Sequence, residues 1–266
     1  MKIAHVSDLH FGCIEQAVVD GLTAHLAEAR PDLVIASGDI TQSSTDQEFR
    51  DARAWFDALK VPVFAIPGNH DLPGMDLMRF INPFARYRHH IGRDLEPEFR
   101  SDVVHIKGLN SARMILPHWN WANGAISHGQ RRDLHRIFAG SQTPWRICVV
   151  HHPVMNPKEF PLDVALFNRH AFMKTLDALK IDLVLAGHQH HAYTETRESD
   201  GHATLFVNAS TATSQRLRRQ PNGFNMLTFT LSSVRIDMLQ WTGKAFETLS
   251  ALTHTKSAEF TAPSSM

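Results

Sequence analysis

Five short clusters of carboxylate, carboxamide and imidazole side chains punctuate the sequence. They are Asp8-Leu9-His10, Gly38-Asp39, Gly68-Asn69-His70-Asp71, His151-His152-Pro153 and Gly187-His188-Gln189-His190. Histidine, the commonest metal ligand and the usual proton carrier near neutral pH, occurs 18 times against two tyrosines. Asp-x-His and Gly-Asp are common alone, and Gly-Asn-His-Asp has the composition of an ordinary turn. Gly-His-x-His is more pointed, because imidazoles two residues apart on an extended segment project the same way. The mixture of carboxylate, imidazole and one carboxamide suits borderline divalent metals, Mn, Fe, Zn or Co, better than Ca or Mg alone. No cysteine falls among these groups, which argues against a structural zinc cage. Asp8, His10, Asp39, Asn69, His151, His188 and His190 are too many ligands for one tetrahedral ion. They suit two ions sharing a bridging carboxylate. Two ions about 3.5–4 Å apart form the clamp used in phosphoryl displacement.

Each cluster ends a short apolar run with strand character: residues 3–6, 33–36, 61–66, 147–150 and 183–186. Between the first runs lie helical patterns. One covers residues 15–29, with Val18, Val19, Leu22 and Leu26 at helical spacing. A second passes through Phe49, Trp55, Phe56 and Leu59, with Thr45 or Asp46 as its cap. Strand–helix–strand alternation with short links predicts parallel βαβ units. Ligands of open α/β sheets bind beyond the carboxyl ends of the strands, so the five clusters are expected along one edge. The middle is less regular. It reads as a helix over 75–87, a strand over 103–109, a loop over 114–129 and a helix over 130–138. A helix over 164–179 and strands at 204–207, 224–231, 234–241 and 246–252 complete the pattern. These elements predict one α/β domain over residues 1–260, two packed sheets with helices outside, and a disordered tail at 261–266.

Composition narrows the class of function. Lys plus Arg equals Asp plus Glu at 27 each, so the chain lacks the global basic footprint of a duplex-binding protein. The one local basic run, Arg216-Leu217-Arg218-Arg219, is read as a solvated turn before Pro221-Asn222-Gly223, with contact to a phosphate as the alternative. Cys13 and Cys148 are read as reduced cysteines packed as small hydrophobes. The sequence shows no signal-peptide pattern and no apolar stretch long enough to span a bilayer, which points to the cytoplasm.

In their order and composition the five clusters resemble the D-x-H, G-D, G-N-H-D, H and G-H-x-H signature of the calcineurin-like metallophosphoesterases. The resemblance covers residues 1–191. It is greatest to bacterial class III cyclic-nucleotide phosphodiesterases and their glycerophosphodiesterase relatives. His70 is kept where the branch hydrolysing UDP-diacylglucosamine carries arginine. The resemblance implies a four-layer α-β-β-α sandwich holding two divalent or mixed-valence ions. By it, Asp8, His10 and His190 bind one ion, Asn69, His151 and His188 the other, and Asp39 bridges. His70 is the non-ligand acid, oriented by Asp71. The implied reaction is hydrolysis of a small phosphodiester, of cyclic nucleotide or glycerophosphodiester type, by a hydroxide bridging the ions. A phosphomonoesterase or a nuclease is the alternative within the superfamily, and a non-catalytic scaffold is a further one. Substrate contacts are expected from Arg113, from His118 and Trp119 in an aromatic–polar loop, and from His152. No nucleic-acid partner is evident, and an oligomer is left open.

Overall fold

Alternate residues of the inner strands face different layers. In β2 (Leu33–Ala36), Leu33 and Ile35 enter a core between two sheets, while Val34 and Ala36 pack under helices. The same division recurs in β6 (Trp145–Val150) and β7 (Leu183–Ala186). Ile147, Val149, Leu183 and Leu185 face the inter-sheet core, and Cys148, Val150, Val184 and Ala186 face the other way. Strands apolar on both sides belong in the interior of a layered α/β fold. The computed structural model, which describes residues 1–74, 78–114, 123–157, 166–218 and 220–256, is a four-layer α-β-β-α sandwich of this kind.

The first sheet runs β12 (Phe246–Thr255), β11 (Ser233–Trp241), β10 (Gly223–Phe229), β1 (Lys2–Val6), β2, β3 (Val63–Ala65). The second runs β4 (Glu98–Arg100), β5 (Val104–Leu109), β6, β7, β9 (His202–Asn208), β8 (Tyr193–Ser199). β1, β2 and β3 are parallel to one another, as are β5, β6, β7 and β9. Their carboxyl ends therefore share an edge within each sheet. Helix α1 (Gln16–Ala29) buries Val18, Val19, Leu22 and Leu26, the positions expected from the spacing. Helix α2 (Asp46–Ala58) starts from a capping box between Thr45 and Glu48, and buries Phe49, Ala52, Trp55 and Phe56. On the outer face of the second sheet, α5 (His128–Phe138) has a matching box between Ser127 and Gln130. Beside it, α6 (Arg169–Ala178) packs Phe172 and Leu176 into the same layer. None of the described helices is long and apolar enough to cross a membrane.

Several expected elements differ. The single helix over 75–87 is replaced, within the described residues, by α3 (Met78–Ile81) and α4 (Ala85–His90). Pro83 between them lacks an N–H and disfavours helical backbone at Asn82. Edge strands β4 and β8 are additional. β8 joins β9 through Asp200-Gly201, both at positive φ (49° and 72°), a pairing that favours a tight hairpin. The expected tail at 261–266 lies outside the described residues.

Candidate metal centre

The loops that follow β1, β2, β3, β6 and β7 carry the five clusters to one place. The backbone there is strained. Among the described residues ten non-glycine positions have positive φ, and five of them are Asp8 (52°), His10 (51°), Asp39 (50°), His188 (68°) and His190 (54°). Such angles cost free energy for a residue with a Cβ, and they gather where a site imposes them. Pairing between the first two loops outlasts the strands, with Asp8 N donating to Gly38 O at 3.0 Å and His10 N to Asp39 O at 3.0 Å. Gly38 sits at φ 101°, and a Cβ on it would lie 2.6 Å from His151 Nδ1. A Cβ on Gly187 would lie 1.8 Å from Ser7 Oγ and 2.5 Å from Asp8 Oδ2. Only glycine lets the two sheets close to this distance.

Seven inward-facing donor atoms form two groups. In the first, His190 Nε2 lies 3.1 Å from both His10 Nε2 and Asp8 Oδ1. In the second, Asn69 Oδ1 lies 3.0 Å from His188 Nδ1 and 3.2 Å from His151 Nε2, and the two nitrogens are 3.3 Å apart. Asp39 Oδ2 stands between, 3.9 Å from His10 Nε2 and 3.2 Å from His151 Nε2. The outward atoms of most of these side chains are fixed by the protein. His151 Nδ1 donates to Ser37 O at 2.9 Å, and His190 Nδ1 to Arg216 O at 2.7 Å. Each bond sets the tautomer that leaves Nε2 as a lone pair facing inward. Asp8 Oδ2 accepts from His188 N at 2.8 Å, and Asp39 Oδ1 from His70 N at 2.8 Å.

This arrangement fits cations. Asp8 Oδ1 is buried without a hydrogen-bond partner, and its 3.1 Å approach to His190 lacks hydrogen-bond geometry. Imidazole lone pairs about 3 Å apart repel unless something positive lies between them. With protons alone the rings divide the charge unevenly. Burial disfavours the charged form of His151, yet Asp39 beside it pushes the ring up to about 9. Desolvation, and then His151 beside it, push the half-buried His188 ring down to about 3. His10 falls to about 4, chiefly through burial. Burial also opposes ionisation of Asp8 and Asp39, but their imidazole neighbours hold both carboxyls below the ordinary range. Each group could hold one divalent cation, with Asp39 placed to touch both.

A model of the calcineurin-like phosphoesterases matches residues 1–192. The chain belongs to this family. It is accordingly a metal-dependent phosphoester hydrolase. A probable cyclic nucleotide phosphodiesterase of Synechococcus sp. is 24% identical over 208 residues, covering 74% of this chain and 76% of that protein. The glycerophosphodiester phosphodiesterase GpdQ of Enterobacter lignolyticus is 34% identical over 82 residues, 27% of this chain and 30% of that protein. Among solved structures, a dimetal phosphatase from Danio rerio aligns with a TM-score of 0.72 at 16% identity, covering 97% of this chain and 99% of that one, a likeness of fold.

Within this calcineurin-like phosphoesterase the seven expected ligands stand together, and His70 stands beside them, its ring 4.9 Å from that of His10. Asp71 departs from expectation. Its carboxylate does not orient His70. It accepts from Gly68 N (2.8 Å), Thr41 N (2.8 Å), Thr41 Oγ1 (2.9 Å) and Ile40 N (3.2 Å), tying the β2 and β3 loops together. With both oxygens so occupied, the ring turns instead to Gln42, whose carbonyl accepts from His70 Nδ1 at 2.7 Å. Burial, and then Asp39, push the Asp71 carboxyl up to about 6. His152 Nδ1 lies 2.7 Å from Ser111 Oγ, and its ring is 4.8 Å from that of His188, so it flanks the second group. Arg113 spends its guanidinium on Asn110 O, Ala112 O and Gln130 Oε1, which fastens its loop to α5. His118 and Trp119 lie outside the described residues.

Arg216 is not the solvated turn expected of it. Its carbonyl holds His190, and its Nη1 lies 2.9 Å from His70 Nε2 and 3.3 Å from Gln42 Oε1. Gln42 carries no motif and is visible only in three dimensions. The segment before Arg216 also supports the site. Thr211 Oγ1 donates to Asp8 O at 2.6 Å and Thr213 Oγ1 to Leu9 O at 2.7 Å. The run Ala209-Ser210-Thr211-Ala212-Thr213-Ser214 is buried throughout, and its small side chains are the one sequence signal of a strap crossing the interior.

Proposed function

We propose that the protein is a binuclear metal-dependent phosphodiesterase acting on small phosphodiesters of cyclic nucleotide or glycerophosphodiester type. Asp8, His10 and His190 hold one ion, Asn69, His151 and His188 the other, and Asp39 bridges them. The observation that carries this reading is the position of Asp39 Oδ2, within 4 Å of an inward nitrogen of each group. His151 is preferred to His152 as the ligand because its Nε2 alone approaches both Asp39 and Asn69, whereas His152 is engaged with Ser111. The relatives named as cyclic nucleotide and glycerophosphodiester phosphodiesterases favour a diester over a monoester.

Bound ions supply Lewis acidity, lowering the pKa of water and offsetting charge on the phosphoryl oxygens. The chain supplies position. Asp8, His10, Asp39, His151 and His190 are buried, while Asn69, His70 and His188 are half-buried, so the phosphoester enters past the latter three. Two carboxylates offset only part of the charge of two divalent ions, leaving a site that attracts an anion. His70, whose Nδ1 donates to the Gln42 carbonyl, turns Nε2 toward this entrance, and in its imidazolium form Nε2 donates to the leaving group or a phosphoryl oxygen. Preorganised donors of this kind are the main catalytic resource in phosphoryl transfer.

The test compares bis-p-nitrophenyl phosphate with p-nitrophenyl phosphate, using metal-stripped protein with Mn²⁺ restored, in wild type and Asn69→Ala. Mn²⁺-dependent hydrolysis that is faster on the diester and lost in the variant is expected. Faster monoester hydrolysis would replace the diesterase reading with a phosphatase. No hydrolysis of either by Mn²⁺-loaded wild type would remove it.

A further inference from the structure

We propose that Arg216 is a substrate-binding residue, whose guanidinium exchanges its contact with His70 for a non-bridging oxygen of the bound phosphoester. The inference rests on the reading of the metal centre above. The main chain fixes the residue first. His190 Nδ1 donates to the Arg216 carbonyl at 2.7 Å, so the side chain starts at the rim of the first ligand group. It then reaches to His70, placing Nη1 2.9 Å from Nε2, with Gln42 Oε1 3.3 Å away as a second acceptor. Gln42 thus locates both groups, His70 through its carbonyl and Arg216 through its carboxamide.

The partners are neutral. Among the described residues no carboxylate pairs with Arg216, and its Nη2 and Nε make no hydrogen bond. A half-buried guanidinium next to a site that gathers cations is repelled by them, and an anion relieves that repulsion. A phosphoryl oxygen is also a better acceptor than an imidazole nitrogen or a carboxamide, because the hydrogen bond is charge-assisted at both ends. The planar fork of arginine offers two parallel N–H groups to such an oxygen pair, which lysine does not. Arg113 shows the contrast. Its guanidinium, also half-buried, commits Nη1 to two carbonyls and Nη2 to Gln130, so it has less left for a ligand.

The experiment uses Mn²⁺-loaded full-length protein and inorganic phosphate as the probe. Phosphate binding is measured by titration calorimetry in wild type, Arg216→Ala and Arg216→Lys, with Mn²⁺ content determined on the same samples. The His190 support is a main-chain carbonyl, so both variants keep it. Phosphate affinity is expected to fall by about 10- to 100-fold in Arg216→Ala and by less in Arg216→Lys, at unchanged Mn²⁺ content. KM for bis-p-nitrophenyl phosphate should rise by a similar factor, with a smaller change in kcat. Phosphate affinity in Arg216→Ala within about twofold of wild type, or a loss of Mn²⁺ in both variants, overturns the proposal. The metal-centre reading fails separately, if wild type itself binds no Mn²⁺.

Discussion

The two ends of the sandwich hold charged side chains in opposite ways. At the amino-terminal ends of β6, β7 and β9 lies a cavity of about 350 Å³ lined by Arg146, Lys180, Asp182, His202, His254 and Lys256. Its principal charges have local answers. Lys256 Nζ is 2.6 Å from Asp182 Oδ1 and lies over the Trp145 ring. Asp182 Oδ2 accepts from Arg146 N at 2.7 Å, and the Arg146 guanidinium donates to Leu179 O and Ser141 O. His202 Nε2 meets the Ile181 carbonyl at 3.0 Å. At the carboxyl-terminal end, in loops of both sheets, the same residue types turn their lone pairs toward one another, on strained backbone, with Asp8 Oδ1 unanswered. Density of charge does not separate the two ends. The first is a satisfied network that fastens loops, and the second is an array whose facing lone pairs suit a cation.

Substitutions should therefore separate activity from stability according to the end they touch. The largest effect is expected from Asp39→Ala, which removes the carboxylate proposed to be shared by the two ions. Diesterase activity should fall by at least about 10³-fold, and Mn²⁺ content should fall with it. His70→Ala should lower kcat by about 10²–10³-fold, in the range for an acid–base group, while Mn²⁺ content stays at the wild-type value. Retention of kcat would remove His70 from the chemistry. At the opposite end Asp182→Ala should leave kcat and Mn²⁺ content unchanged. Chemical denaturation should show a loss of about 2–4 kcal/mol, because Lys256 and the Arg146 amide lose a buried partner. A fall in kcat there would blur the distinction between the ends. The smallest effect is expected from Gly201→Ala. The φ of 72° at this hairpin position is costly for alanine, and about 1 kcal/mol should be lost with no change in activity.

The same contrast explains how far the sequence could be read. Strands such as Leu33–Ala36 and Leu183–Ala186 were legible because they are apolar on both faces and end in ligand types. The residues that gather at the site were legible because they sit in short motifs whose order follows the strands. Edge strand β8, Tyr-Thr-Glu-Thr-Arg-Glu-Ser, was not, because it is half solvated and its partner comes only through the Asp200-Gly201 turn. The contacts that hold these side chains were hidden for another reason. Ser37 O, Gln42 O and Arg216 O act through the backbone, which every residue type carries. Asp71 misled because a carboxylate next to a histidine in sequence need not touch it. Amide donors at Gly68, Thr41 and Ile40 claimed it first.

The most direct test of the central claim is anomalous diffraction from crystals of the wild-type protein soaked with Mn²⁺. Two peaks are expected on either side of Asp39 Oδ2, one among Asp8, His10 and His190 and one among Asn69, His151 and His188. Their separation should be about 3.5–4 Å. A single peak, or peaks that leave Asp39 uncoordinated, would contradict a binuclear centre built on this carboxylate.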